Sequence, residues 1–185
     1  EMYVWIVFCA SIVALGFAFF FYRRMLKEDE GTPKMREIAA HVRTGAMAYL
    51  KQQYKVVGIV FIVLAVLFFI MSLFDLQNGW VWFAFLTGGF FSGLAGFLGM
   101  KTATYASART ANGARQSLNK GLQIAFRSGA VMGLTVVGLA LLDVSLWFFI
   151  LDHFIPEEHH LVIITTTMLT FGISASTQAL FARVG

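Results

Sequence analysis

The chain has 185 residues, of which 58% are hydrophobic and 13% charged, and its mean hydropathy is +0.75. Soluble domains carry about 25% charged residues, so the composition excludes a soluble globular domain. The formal net charge is +4, and the one cysteine, Cys9, excludes a disulfide framework within the chain.

Five apolar runs, at about 2–22, 56–74, 80–100, 128–150 and 161–182, reach the roughly 20 residues that cross a bilayer core. The first is no cleavable leader, because Glu1 precedes it and Arg23, Arg24 and Lys27 follow it. A leader carries its positive charge before the apolar run. After it, Thr32-Pro33 suits an N-cap and first helical position. Ile38, Val42, Ala46, Tyr49 and Leu50 then recur at helical spacing, predicting an interfacial helix that runs into the second span. The third connection, rich in Ala, Ser and Thr and free of proline, predicts cytosolic extensions of spans three and four. On its residues alone this is a solvated basic segment. It holds no phosphate-cradling loop, since "GARQSLNKG" lacks the Gly-Lys-Ser/Thr ending.

The basic residues sort one way. Eight lie in 23–55, five in 101–127 and one, Arg183, after span five, which accounts for all 14. The segments "DLQNG" and "DHFIPEEHH" hold none. By the positive-inside rule 23–55 and 101–127 are cytoplasmic and the N-terminus is outside. This sorting explains the net charge, so no nucleic-acid partner is expected. The expected fold class is an all-α polytopic membrane protein with five transmembrane helices, forming one transmembrane domain over 1–185.

Three positions stand out as candidate site residues. Asp143 lies about seven residues inside span four, and an intramembrane carboxylate is a functional hypothesis by default, although it can also reach outer-interface water. Span five carries eight hydrogen-bonding residues: Thr165, Thr166, Thr167, Thr170, Ser174, Ser176, Thr177 and Gln178. Lipid offers such groups no partners. Gly172, Ser176 and Arg183 fall close to one helical face of it, which suggests an inner helix lining a hydrated path. For Arg183 alone, snorkelling at the cytoplasmic end is the alternative. His159-His160 beside Glu157-Glu158 forms no convincing metal site, because sequence neighbours on a helix point apart. Glu28-Asp29-Glu30 is the one close acidic run on the cytoplasmic side.

Three stretches resemble the membrane-integral, ion-pumping pyrophosphatases. They are "GAMAYLKQQYK", "GMKTATYASARTANGARQSLNKGLQIAFRSGAVMGL" and the final "ALFARVG". The middle stretch is the most specific, keeping the family's order of Lys101-Thr102, Arg109-Thr110-Ala111-Asn112, Lys120-Gly121 and Ala125-Phe126-Arg127. The resemblance implies the first part of a sixteen-helix bundle, with span five in the inner ring. It implies Mg²⁺-dependent pyrophosphate hydrolysis driving H⁺ or Na⁺ out of the cytoplasm, with K⁺ as a possible activator. A homodimer in a prokaryotic cytoplasmic membrane is expected, the partners being lipid and the remaining helices of the same protein. On this resemblance the sequence stops short of the pyrophosphate- and magnesium-binding residues, and the piece alone should be inactive. Arg183 matches a family arginine in the ion pathway, and Ser176 matches a family serine. Thr177, Gln178 and Thr44 depart from the usual Ser, apolar residue and Glu. The rival reading is a non-enzymatic multispan protein, a transporter or channel subunit or an assembly factor, complete at five helices.

Overall fold

The computed structural model describes residues 2–155 and 160–184, with side chains from 3–155 and 162–180. Among them are five helices: α1 (Met2–Leu26), α2 (Pro33–Leu73), α3 (Val81–Gln116), α4 (Leu118–Phe154) and α5 (His160–Val184). The first four are long and apolar enough to cross a membrane. That count is of the described residues, which for α5 leave out the side chains at both of its ends. With helices of this length and composition the protein is a multi-pass membrane protein, surrounded by lipid.

Local chemistry sets the helix ends. The Thr32 hydroxyl accepts a 3.4 Å hydrogen bond from the Met35 amide, and Pro33 opens α2, as an N-cap and first position should. No proline follows until residue 156, so the expected interfacial segment and span two form one uninterrupted helix of 41 residues. Ile38, Val42 and Tyr49 remain exposed on it, while Ala39 and Leu50 are buried. The helix stops at Asp75, whose φ of 52° lies in the left-handed region. The Asp75 amide bonds the Ser72 carbonyl, and the Leu76 amide bonds that of Met71, the two bonds of a Schellman cap. Asn78 then accepts from the Trp80 amide ahead of α3.

The third connection is helical, and a single residue, Ser117, separates α3 from α4. Its hydroxyl accepts from the Lys120 amide at 3.1 Å, capping α4. Gly121 makes the tight return possible, because a Cβ there would meet the Cβ of Ala114 at 2.8 Å and its Cα at 3.0 Å.

The chain forms two compact units. One comprises Glu1–Ser11, Gln53–Leu94 and Leu139–Gly185. Its core holds Ala84, Trp147, Leu151 and Ile164, and a second cluster of Val57, Phe61 and Phe85. The other comprises Ile12–Gln52 and Ala95–Gly138, around Met25, Ala106 and Ile124. Most of the basic segments 23–55 and 101–127 belong to this second unit, and 75–79 to the first. Outside these cores the apolar side chains are largely exposed, as on Ile12, Phe19, Ile62 and Val63. Lipid, which is as apolar as they are, suits such surfaces.

Candidate functional site

In the first unit, α5 packs on α3 along a polar seam. Thr167, Thr170, Ser174 and Gln178 are buried on one face of α5. Ser174 donates to the Phe85 carbonyl, and Ser92 donates to the Ala175 carbonyl at 3.4 Å. Gly88 lets the helices meet: a Cβ there would lie 2.8 Å from the Phe171 ring and 3.2 Å from its carbonyl oxygen. Tyr54 on α2 donates to the Gly93 carbonyl. Other hydroxyls of α5 turn back on their own helix. Thr166, Thr170 and Thr177 donate to the carbonyls of Val162, Thr166 and Ile173 at 2.8–2.9 Å.

The candidate residues fall in different surroundings. Ser176 and Gly172 are exposed, and nothing lies within 4 Å of a Cβ built on Gly172. This face of α5 is open, whereas the packed face is the one carrying Ser174 and Gln178. Arg183 belongs to the last turn of α5 by its backbone, and its side chain lies outside the described residues, as do those of Glu157 through His160. Asp143 is 2% exposed, and its Oδ2 has no hydrogen-bond partner among the described residues. It stands one turn before Trp147, whose indole N–H donates to the Thr87 hydroxyl at 2.8 Å. Asp143 therefore faces the interior. The Thr167 hydroxyl, fully buried, is likewise unpartnered among the described residues.

The second unit holds an arrangement that the sequence did not disclose. Between α1 and α2, Glu28-Asp29-Glu30 leads into Gly31, whose φ of +93° few side chains tolerate. Glu30 lies between two guanidiniums, bonding Arg43 and holding Arg109 at 2.8 Å. Arg109 also donates to the carbonyls of Glu28 (3.0 Å) and Tyr105 (2.6 Å). Glu28 takes Arg127 at 3.3 Å, with Lys120 at 3.9 Å. Arg36 bonds Asp29 at 2.9 Å, and the Asn112 amide donates to the Asp29 carbonyl. The Gly31 N–H and then Arg36 hold the Asp29 carboxyl below its ordinary value. Arg43 completes the cluster over the Tyr105 ring, 4.3 Å from its centre.

Five cations thus meet three carboxylates, fastening the α1–α2 turn to α2, α3 and α4. The cluster does not fit magnesium. Each of its carboxylates already pairs with at least one cation, and the surplus positive charge repels another. Among the described residues, no three His, Cys, Asp or Glu side chains come together as a metal site.

Long apolar helices, a polar seam and a charge-locked turn define a polytopic membrane protein of all-α class. Residues 12–185 match the family described as inorganic H+ pyrophosphatase, and the chain belongs to that family. It is 67% identical over 187 residues to a candidate "K(+)-stimulated pyrophosphate-energized sodium pump" of Bacteroides thetaiotaomicron, an alignment covering 98% of this chain and 26% of the relative. A "K(+)-insensitive pyrophosphate-energized proton pump" of Chloroflexus aurantiacus is 36% identical, over 98% of this chain and 25% of its own length. The pump of the same name from Methanosarcina mazei is 38% identical, over 95% and 24%. The chain spans about a quarter of the length of the curated relatives it matches.

Proposed function

We propose that the chain is the N-terminal part of a membrane pyrophosphatase that couples pyrophosphate hydrolysis to cation export from the cytoplasm. The observation that carries this reading is 67% identity over 98% of the chain to a relative named as such a pump. Sodium, with potassium stimulation, is the favoured ion, because the relative at 67% identity is named a sodium pump, whereas those named proton pumps share 34–40%. On this reading Mg²⁺ and pyrophosphate are held by residues of the pump outside these 185, and the piece alone hydrolyses nothing. The intact protein is a homodimer in the cytoplasmic membrane of a prokaryote.

The open Gly172–Ser176 face of α5 is the one we assign to the remaining helices and the ion path, with Arg183 beneath the hydrolytic site. A guanidinium stays charged under essentially all conditions. It can hold a carboxylate from another helix ionised until the path rearranges. Asp143, away from that open face, presents an unused buried acceptor to the packed interior and is proposed as a secondary polar point.

The test is the intact protein in proteoliposomes, with magnesium pyrophosphate added outside to pumps facing outward. Phosphate release should accompany ²²Na⁺ uptake and rise with K⁺; absence of magnesium-dependent phosphate release refutes the reading. In Arg183→Ala, uptake should fall at least as far as hydrolysis, and Arg183→Lys should restore only part of it. Parent-like pumping by Arg183→Ala would reduce that arginine to an interfacial anchor.

A further inference from the structure

The second unit contains a cavity of about 280 Å³ between α1, α3 and α4. Its volume is close to the lower end for ligand pockets, about 300 Å³. Leu15, Phe19, Leu98 and Val131 supply apolar walls. Thr102 and Thr135 also line it, but each hydroxyl is spent on its own helix, donating at 2.7 Å to Leu98 and Val131 carbonyls. These threonines therefore offer no free hydroxyl proton, and the cavity is more apolar than its residue types suggest.

The polar end is different. Lys101 and Tyr22 line the cavity, and the Arg23 guanidinium sits 5.0 Å from the centre of the Phe19 ring, one of its walls. Neither Lys101 nor Arg23 makes an ion pair among the described residues. Arg36, Arg43, Arg109, Lys120 and Arg127 in the same unit are all matched to carboxylates. Arg24, Lys27, Lys51 and Arg115 of this unit make no ion pair among the described residues either. Lys101 and Arg23 are the ones beside the cavity, and in sequence they stand at the cytoplasmic ends of their apolar runs, where lipid phosphates lie.

We infer that this cavity holds one acyl chain of an anionic glycerophospholipid, with its phosphate against Lys101 and Arg23. The apolar walls select a hydrocarbon chain over a soluble anion, and two unmatched cations favour a headgroup with net negative charge. Tyr22 supplies an aromatic body and a hydroxyl at the interface, the place such side chains prefer. Each basic residue near an anionic lipid surface contributes about five-fold in binding.

The test titrates the intact protein, in a mild non-ionic detergent, with fluorescent-acyl phosphatidylglycerol and phosphatidylcholine. Phosphatidylglycerol should bind more tightly. Lys101→Ala and Arg23→Ala should each weaken it about five-fold and leave phosphatidylcholine nearly unchanged, with Lys101→Arg close to the parent. Leu98→Trp, filling a half-exposed wall, should weaken both lipids. Thermal unfolding of each variant identifies folded protein, and Lys101→Arg with Leu98→Trp gives a comparison that removes no charge. Equal binding of the two lipids by the parent overturns the inference, as does a Lys101→Ala/Arg23→Ala protein that keeps its preference.

Discussion

Glu30 is the position where a one-atom change should cost most. Glu30→Gln keeps the side-chain volume and an acceptor oxygen but removes the charge shared by Arg43 and Arg109. The three side chains are only 22%, 17% and 11% exposed, in the order Arg43, Glu30, Arg109. Breaking a buried pair by deleting one partner costs about 3–5 kcal/mol, because the other charge stays buried without its counterion. Partial exposure and the retained amide oxygen bring this to about 2–3 kcal/mol. Glu37 is the control: its pair with Lys34 is 57% and 74% exposed, and such pairs contribute at most about 1 kcal/mol. Unfolding of the intact protein in mixed micelles by added SDS, followed by far-UV circular dichroism, measures both. A second arm adds Arg109→Gln to Glu30→Gln, where it should cost less than in the parent, since the two side chains share one interaction. If Glu30→Gln and Glu37→Gln unfold at the same SDS fraction, the acidic turn is not an electrostatic lock.

The remaining expectations use the same intact protein. Gly88→Ala drives a methyl against Phe171 and should destabilise by about 1–3 kcal/mol, seen as unfolding at a lower SDS fraction than the parent. Asp29 has its folded-state value below the unfolded one. Its stabilising contribution is therefore complete above the ordinary Asp value of about 3.9 and is lost as pH falls through the folded value. Asp29→Asn should abolish that component of the acid-unfolding curve, and an unchanged curve would show that the turn does not titrate there. For topology, Leu76→Cys and Leu118→Cys, both exposed, are compared in a Cys9→Ser background with an impermeant thiol reagent on intact cells. Labelling should appear at position 76 and be absent at 118; the reverse pattern inverts the orientation.

The helices were legible because bilayer-length apolar runs and a Thr-Pro start are local signals, read within one turn or one span. The union of 33–55 with span two was partly legible, since nothing between Pro33 and Leu73 breaks a helix. The acidic turn was not. Glu28, Asp29 and Glu30 read only as a close acidic run on the cytoplasmic side, and the arginine they meet on α3 lies some 80 residues away, with that on α4 nearly 100 away. Only the fold brings them together. In span five the count of polar residues was plain, but helical periodicity alone did not separate the seam at Thr167, Thr170, Ser174 and Gln178 from the open side at Gly172 and Ser176. A neighbouring glycine, Gly88 on α3, decides which side packs.

The backward-turned hydroxyls of α5 bear on the order in which the protein is made. A threonine that donates to a carbonyl on its own helix brings its acceptor along, so Thr166, Thr170 and Thr177 can enter lipid without waiting for a neighbour. Ser174 cannot satisfy itself in the same way while it holds the Phe85 carbonyl. Nascent α5 can thus partition first and dock second, with Ser174 gaining from the later step. Biogenesis on this route has two separable events, and a Ser174→Ala chain would complete the first as readily as the parent while holding less firmly to α3.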